Sequence, residues 1–339
     1  MDDLFTDAAR QLLSDQCTPH HVRAIEAAGS ARALWSFIEE AGFADALVPE
    51  AHGGAGLSLA QVFGVLELCG AFAVPVPLAE TMLARALLAQ AGATCPVGSL
   101  ALALGQACVG GGLRCANVHL GVVADAVLVA APDGWVVLSV AAAERSPAGF
   151  CLDAGLQWTA AQLAAAPRID VRLPVGCDLR TLQAALYAAQ LSGALMSVFQ
   201  RTLQYANDRN QFGRPIGKFQ AIQHQLSVMS EHVFAARMAA QLGCSGDGIG
   251  LQRLRVAVAK ARASEAALAV AELSHSIHGA IGFTAEYDLQ LYTRRLHAWR
   301  QAAGSESYWH SVAGACLVDQ HAGLTLDLIR QTTDSLEAR

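Results

Sequence analysis

A chain of 339 residues exceeds what one ordinary core absorbs, and at 53% hydrophobic and only 15% charged it carries more apolar surface than a monomer's interior usually takes up. Two or three domains in an oligomer are expected. The formal net charge of -6 supplies no basic field for phosphate polymers or anionic lipid, which sets aside nucleic-acid and membrane partners in favour of a small molecule.

The N-terminal stretch MDDLFTDAARQLL has acids where a secretory signal needs positive charge, and it reads as a short amphipathic helix. Apolar residues then recur at helical spacing, as in Leu34, Phe37 and Ile38, and again in Val62, Val65, Leu66 and Cys69. The glycine-rich VPEAHGGAGLS (Val48 to Ser58) separates these helices. Residues 1–93 therefore form a helical domain. Over residues 94–173 the texture changes to short runs such as AVLVAA, WVVLSV and RIDVRL between turn residues, which predicts a small, shortened β domain. Residues 174–339 return to long helical periods, with Leu226, Met229, Val233 and Phe234, then Leu251, Leu254, Val258 and Ala261, and predict a helical bundle. The fold class is α+β and mainly α.

Thr181 to Gln200 carries no charge and is long enough to cross a bilayer, but Gln183, Gln190, Ser192 and Gln200 point to a buried bundle helix instead. The nine cysteines show no CxxC spacing and are odd in number, which fits reduced thiols packed as small hydrophobes and a cytoplasmic setting.

One polar stretch stands out in this apolar chain. RNQFGRPIGKFQ (Arg209 to Gln220) gathers two arginines, a lysine, amides and a phenylalanine, donors and a ring that ask for a ligand. A solvated charged turn is the alternative. Downstream, Gly279 and Gly282 in HGAIGFTAEYDLQLYTRR (His278 to Arg295) lack Cβ atoms, so backbone N–H groups there can approach a phosphate. His275 and His278 lie three apart on a helix, but no third ligand stands at convincing spacing and no metal is expected. YTRRLHAWR (Tyr292 to Arg300) reads as a basic helix face whose arginines pair with acids.

The order helices, sheet, helices and these motifs together resemble the acyl-CoA dehydrogenase family, whose members have a helical N-terminal domain, a central β domain and a C-terminal four-helix bundle. Arg209, Phe212, Gly213 and Gln220 match the family's RxxFG segment, which reaches the FAD of a neighbouring subunit. The stretch from His278 is similar to the glycine-containing segment near the FAD pyrophosphate, and VPEAHGGAGLS matches a third motif. The resemblance spans nearly the whole chain. It implies FAD as cofactor, an acyl-CoA substrate, an electron-transfer flavoprotein as acceptor, and Arg209, Phe212, Gln220, Ser276, Gly279, Ala280 and Ser305 as cofactor-binding residues.

The pattern breaks at the catalytic base. The family's Glu-Gly-Thr segment falls on Ala303-Gly304-Ser305, and the alternative base position falls on or next to Gln183, an amide that cannot usefully accept a proton. Glu306 is the nearest carboxylate and the weak candidate for the role. The family's Thr-Glu-Pro-Gly stretch beside the flavin ring is replaced by LALALGQACVGGG (Leu100 to Gly112). Three readings follow. One is an α,β-dehydrogenase of a bulky acyl-CoA thioester, with a displaced or partner-supplied base and a pocket opened by Ala302 and Ala303. The second is a non-catalytic FAD-binding subunit of a heteromer with a related chain. The third, from another class, is a cofactor-free helical scaffold.

Overall fold

The computed structural model describes residues 2–321 and 323–334. It divides into two compact units, Met1–Leu179 with Asp247–Ile249, and Arg180–Gly246 with Gly250–Arg339.

The first unit begins with five helices, α1 (Asp2–Gln16), α2 (Pro19–Glu26), α3 (Arg32–Glu40), α4 (Phe63–Ala71) and α5 (Leu78–Gln90). Thr18 starts α2 by accepting the His21 N–H, with Pro19 at the first helical position where a missing N–H is harmless. Helix α5 is buried from Leu78 through Leu88, which explains why its sequence shows no wet face. Its three buried polar side chains, Glu80, Thr81 and Arg85, each face a polar group. Thr81 donates to the Pro77 carbonyl (2.7 Å) and accepts the Leu100 N–H (2.9 Å). Arg85 donates to both Asp45 oxygens (3.0 Å each), to Glu39 and to the Gly98 carbonyl (2.9 Å). Glu80 faces His119 Nε2 at 3.8 Å, and His119 Nδ1 lies 3.0 Å from Asp153 Oδ1.

Seven strands follow: β1 (Leu100–Leu104), β2 (Gln106–Ala107), β3 (Leu113–Val118), β4 (Ala126–Ala131), β5 (Gly134–Ser139), β6 (Glu144–Pro147) and β7 (Ala154–Trp158). They make a three-stranded sheet ordered β1-β4-β5 and a four-stranded sheet ordered β2-β3-β7-β6. β1 and β4 run parallel, and the remaining pairs in these two sheets are antiparallel. Inward residues of both sheets, among them Ala101, Leu113, Val127, Val136, Leu156 and Trp158, share one core. Short helix α6 (Ala160–Ala165) closes the segment behind a Thr159–Gln162 capping box.

The second unit is helical. It contains α7 (Leu179–Asp208), a hairpin of β8 (Asn210–Gln211) and β9 (Arg214–Pro215), α8 (Gln220–Gly243), α9 (Arg253–His278), α10 (Leu289–Gln301), α11 (Glu306–Ala315) and α12 (Thr325–Thr333). Helix α7 is long and apolar enough to cross a membrane, yet 78% of its most apolar window is buried in protein. It is a core helix. α8 and α9 run antiparallel, with Arg262 bonded to His232 at mid-length and Gly243 so close to Ala259 that a Cβ on the glycine would lie 2.5 Å from the alanine methyl. Small residues let the backbones approach there.

Candidate active site

The hairpin after α7 is closed by Phe212 (φ +52°) and Gly213 (φ +79°), both left-handed, as a two-residue connection between twisted strands requires. Glycine adopts this conformation freely, whereas phenylalanine rarely does. Phe212 is 91% exposed, its ring meeting Phe219 edge-on with centroids 6.1 Å apart, so burial does little to offset its conformation. Arg214 stacks its guanidinium 4.3 Å over Phe219, and Arg209 and Gln220 extend into solvent on either side of the hairpin. Backbone bonds hold the base: the Arg209 carbonyl accepts the Ile216 N–H at 2.8 Å.

Helix α9 ends at Gly279 (φ +64°), around which a Cβ would meet nothing within 4 Å. The backbone is thus open to a ligand at that point. Gly282 is the opposite case, for a Cβ there would press on His278 and His275 (3.0 and 3.2 Å). Ser276, Gly279 and Ala280 are exposed. His278 is buried, stacks on Tyr205 (ring centroids 4.3 Å apart) and donates from Nδ1 to the Ser274 carbonyl (2.8 Å), while its Nε2 is buried without a hydrogen-bond partner. Burial lowers the pKa of both His278 and His275, the latter stacked on Phe283, so the neutral imidazole is the resident form at neutral pH.

The turn joining α10 to α11 carries Ala303, Gly304 and Ser305. Ala303 is left-handed (φ +54°) and Gly304 lies at φ +104°. Only glycine fits at 304, because a Cβ would sit 2.8 Å from both Trp309 Nε1 and Tyr308 Cδ1. Trp309, fully buried, donates from Nε1 to the Ala303 carbonyl (3.0 Å). Lys260, also fully buried, reaches from α9 to donate to Ser264 Oγ, the Arg300 carbonyl and the Gly304 carbonyl, each at 2.9 Å. Burial pushes its pKa down to about 7, with Arg300 acting in the same direction and Glu306 opposing. Glu306 pairs with Arg300, tying the first turn of α11 to the end of α10. Its Oε2 is buried without a hydrogen-bond partner. Ser305 caps α11 by position, but its hydroxyl makes no capping bond.

Arg253 connects this turn to the start of α7. One guanidinium nitrogen donates to Thr181 Oγ1 (2.7 Å) and the other to the Tyr308 hydroxyl (2.9 Å), and the same group lies 5.5 Å from the Trp309 ring. Arg253 thus joins the start of α7 to α11, while Gln183, two residues beyond Thr181, turns to the other side of its helix.

Residues 2–94 match the acyl-CoA dehydrogenase N-terminal domain and residues 181–313 match the acyl-CoA dehydrogenase C-terminal domain. "Acyl-CoA dehydrogenase IpdE2" of Mycolicibacterium smegmatis is 32% identical over 313 residues, covering 89% of this chain and 94% of that protein. The chain belongs to the acyl-CoA dehydrogenase family. Among solved structures, a variant of the Tcur3481–Tcur3483 steroid ACAD superposes with a TM-score of 0.78 at 26% identity, covering 95% of this chain and 99% of the other. The ChsE4–ChsE5 complex of Mycobacterium tuberculosis shares the fold at a TM-score of 0.81 and 23% identity, with 95% and 98% covered.

Within this acyl-CoA dehydrogenase fold, the residues marked for the cofactor are exposed except for Ser305, which is half-buried. Arg209, Gln220, Ser276 and the Gly279–Ala280 amides suit an anionic dinucleotide better than a metal or a polymer. They fit FAD. Beside the sheet, Cys108 and Gly112 close a tight turn between β2 and β3 where the family's Thr-Glu-Pro-Gly stretch would stand. Gly105 is crowded by Val129 and Leu113, at 2.7 and 2.9 Å from a notional Cβ. Sequence reading missed Lys260 and Arg253. The one available signal was a lone lysine in the alanine-rich AVAKARASEAA, which resembles an ordinary surface position.

Proposed function

We propose that this chain binds FAD as one subunit of an acyl-CoA dehydrogenase whose catalytic carboxylate comes from a related partner chain, and that the substrate is a bulky acyl-CoA thioester. The observation that carries the reading is the α10–α11 turn: Ala303 offers a methyl at the family's base position, and the neighbouring Glu306 is engaged by Arg300. Gln183 cannot substitute, since an amide does not accept a proton at neutral pH. The steroid activity and the paired naming of the Tcur3481–Tcur3483 protein support a large, polycyclic substrate and a heteromer.

FAD, when bound there, would supply the acceptor for the hydride from the substrate's β-carbon. Arg209 would pair with its pyrophosphate, Phe212 would lie against adenine, and Gln220 and Ser276 would supply polar contacts. The Gly279 and Ala280 backbone and the Ser305 hydroxyl would line the remainder. Ala302 and Ala303 leave room beside the reacting carbons instead of moving a proton. An electron-transfer flavoprotein is the expected acceptor, and nine free cysteines accord with a cytoplasmic setting.

The deciding experiment is purification of the chain alone and together with a related chain, measuring flavin per chain and flavin bleaching by a polycyclic acyl-CoA. Bleaching only by the pair is expected. A second reading rests on the buried, unpartnered Oε2 of Glu306: if the chain alone bleaches flavin and Glu306→Gln abolishes it, Glu306 is the base and no partner supplies one.

A further inference from the structure

We infer that Lys260 is a positioning residue for the turn Ala302–Ser305, and that it, not the missing glutamate, sets the backbone of the catalytic corner. The inference rests on the reading above that this corner faces the reacting thioester.

Three facts lead to it. First, Lys260 is fully buried on α9, where an ammonium is tolerated only if its hydrogens are satisfied. Second, three acceptors surround it at 2.9 Å, and two of them are backbone carbonyls of the corner, Arg300 at the end of α10 and Gly304 beyond it. Ser264 adds a bond to the same Arg300 carbonyl at 3.1 Å. A cation at a helix C-terminus also opposes the negative end of the helix dipole. Third, the corner is strained: Ala303 is held left-handed although it carries a Cβ. Such a conformation persists only where the surroundings over-determine it. Lys260 on one side and the Trp309 indole on the other supply that determination.

Three hydrogens for three acceptors is the geometry of the charged form. In that form the ammonium clamps the carbonyl before Ala303 and the carbonyl after it, so the Cα–Cβ direction at 303 is fixed by α9. The clamp is complete without any group on the 303 side chain. A chain that has lost the carboxylate can therefore keep the corner's shape, and with it the wall presented to flavin and thioester.

Hydrogen exchange over residues 299–309 of the full chain tests this. Lys260→Met, similar in length but without donors, should speed exchange in that segment by about ten-fold or more while α7 and α8 stay protected. Lys260→Gln, which restores two donors without charge, should recover most of the protection. Equal protection in wild type and Lys260→Met overturns the proposal, as does a Gln variant no better than Met. If the Met variant does not fold, Ser264→Ala carries the test, because Lys260 then loses its anchor on α9. Selective loosening of the corner supports the proposal, and an unchanged corner overturns it. Flavin content is read separately. A loosened corner with unchanged flavin retention and unchanged bleaching by the pair keeps the positioning role and removes the thioester-facing assignment instead.

Discussion

The α10–α11 corner is gripped from three helices, whereas the β8–β9 hairpin leaves Arg209 at its base and Phe212 at its tip exposed. Both contain a residue with a Cβ in the left-handed region, Ala303 and Phe212. In the corner the strain is balanced inside the chain, by Lys260, Trp309 and the Arg300–Glu306 pair. In the hairpin the support is slight, since Phe212 touches Phe219 only edge-on and is 91% exposed, and Arg209 is exposed. The contrast teaches that a strained backbone can be stabilised from within or can await something from outside. The hairpin's open donors support a ligand or partner as the missing half.

The sharpest way to break this contrast is to remove the internal support. Trp309→Ala should cost about 3–5 kcal/mol, the usual range for a fully buried tryptophan, and it also strips the Ala303 carbonyl of its donor. Urea unfolding of purified protein measures it. A loss below about 1 kcal/mol would mean that the corner relaxes without the indole and is not held from within.

Removal of the hairpin's charge should do the reverse. Arg209→Ala is expected to leave unfolding unchanged, because the side chain is exposed, and to weaken FAD by about ten-fold to a hundred-fold through loss of one charge-assisted contact. Flavin retained after dialysis of dilute protein reads this directly. Unchanged retention would assign the hairpin to a surface role alone.

The end of α9 lies between the two extremes, partly buried and partly open, and its test is pH. His278 and His275 have folded pKa values below the ordinary 6.5, burial being the leading cause in each case. Below 6.5 the unfolded chain binds protons that the folded chain refuses, so the folded state loses stability as pH falls from 6.5 toward the folded values. About a unit above 6.5 neither state is appreciably charged and the effect fades out. The slope each contributes is shallow, since solvent screens both rings in part. His278→Gln should flatten its share of the slope in thermal melts between pH 7 and 5, and an unaltered slope would place the titration elsewhere.

What was legible in the sequence follows the same division. The switch from helical to alternating periods and back is visible because burial imposes it locally, and RNQFG is visible because exposed donors are conspicuous in an apolar chain. The corner's supports are not. Lys260 reaches carbonyls 40 and 44 residues away, and Arg253 bridges Thr181 and Tyr308, 72 and 55 residues away, so only the folded bundle brings them together. Spacing shows that Ala303 and Gln183 lack a carboxylate, but it cannot show that one guanidinium ties Thr181 to Tyr308.

The smallest effect sharpens the contrast most. Phe212 is left-handed at φ +52° and 91% exposed, so its Cβ strain has no compensation in burial. Asparagine adopts this conformation far more readily, and Asn-Gly is the preferred pair for such a turn. Phe212→Asn should therefore stabilise the isolated chain, by about 0.5–1 kcal/mol, an amount typical of relieving a strained left-handed position. If the ring lies against adenine, the same variant should lose flavin more readily, so that stability and retention move in opposite directions. Thermal melts and flavin content of one preparation settle both. A variant that is more stable and equally rich in flavin would show that the phenylalanine does not serve the cofactor, leaving a partner surface as the remaining use for an exposed ring held in an unfavourable turn.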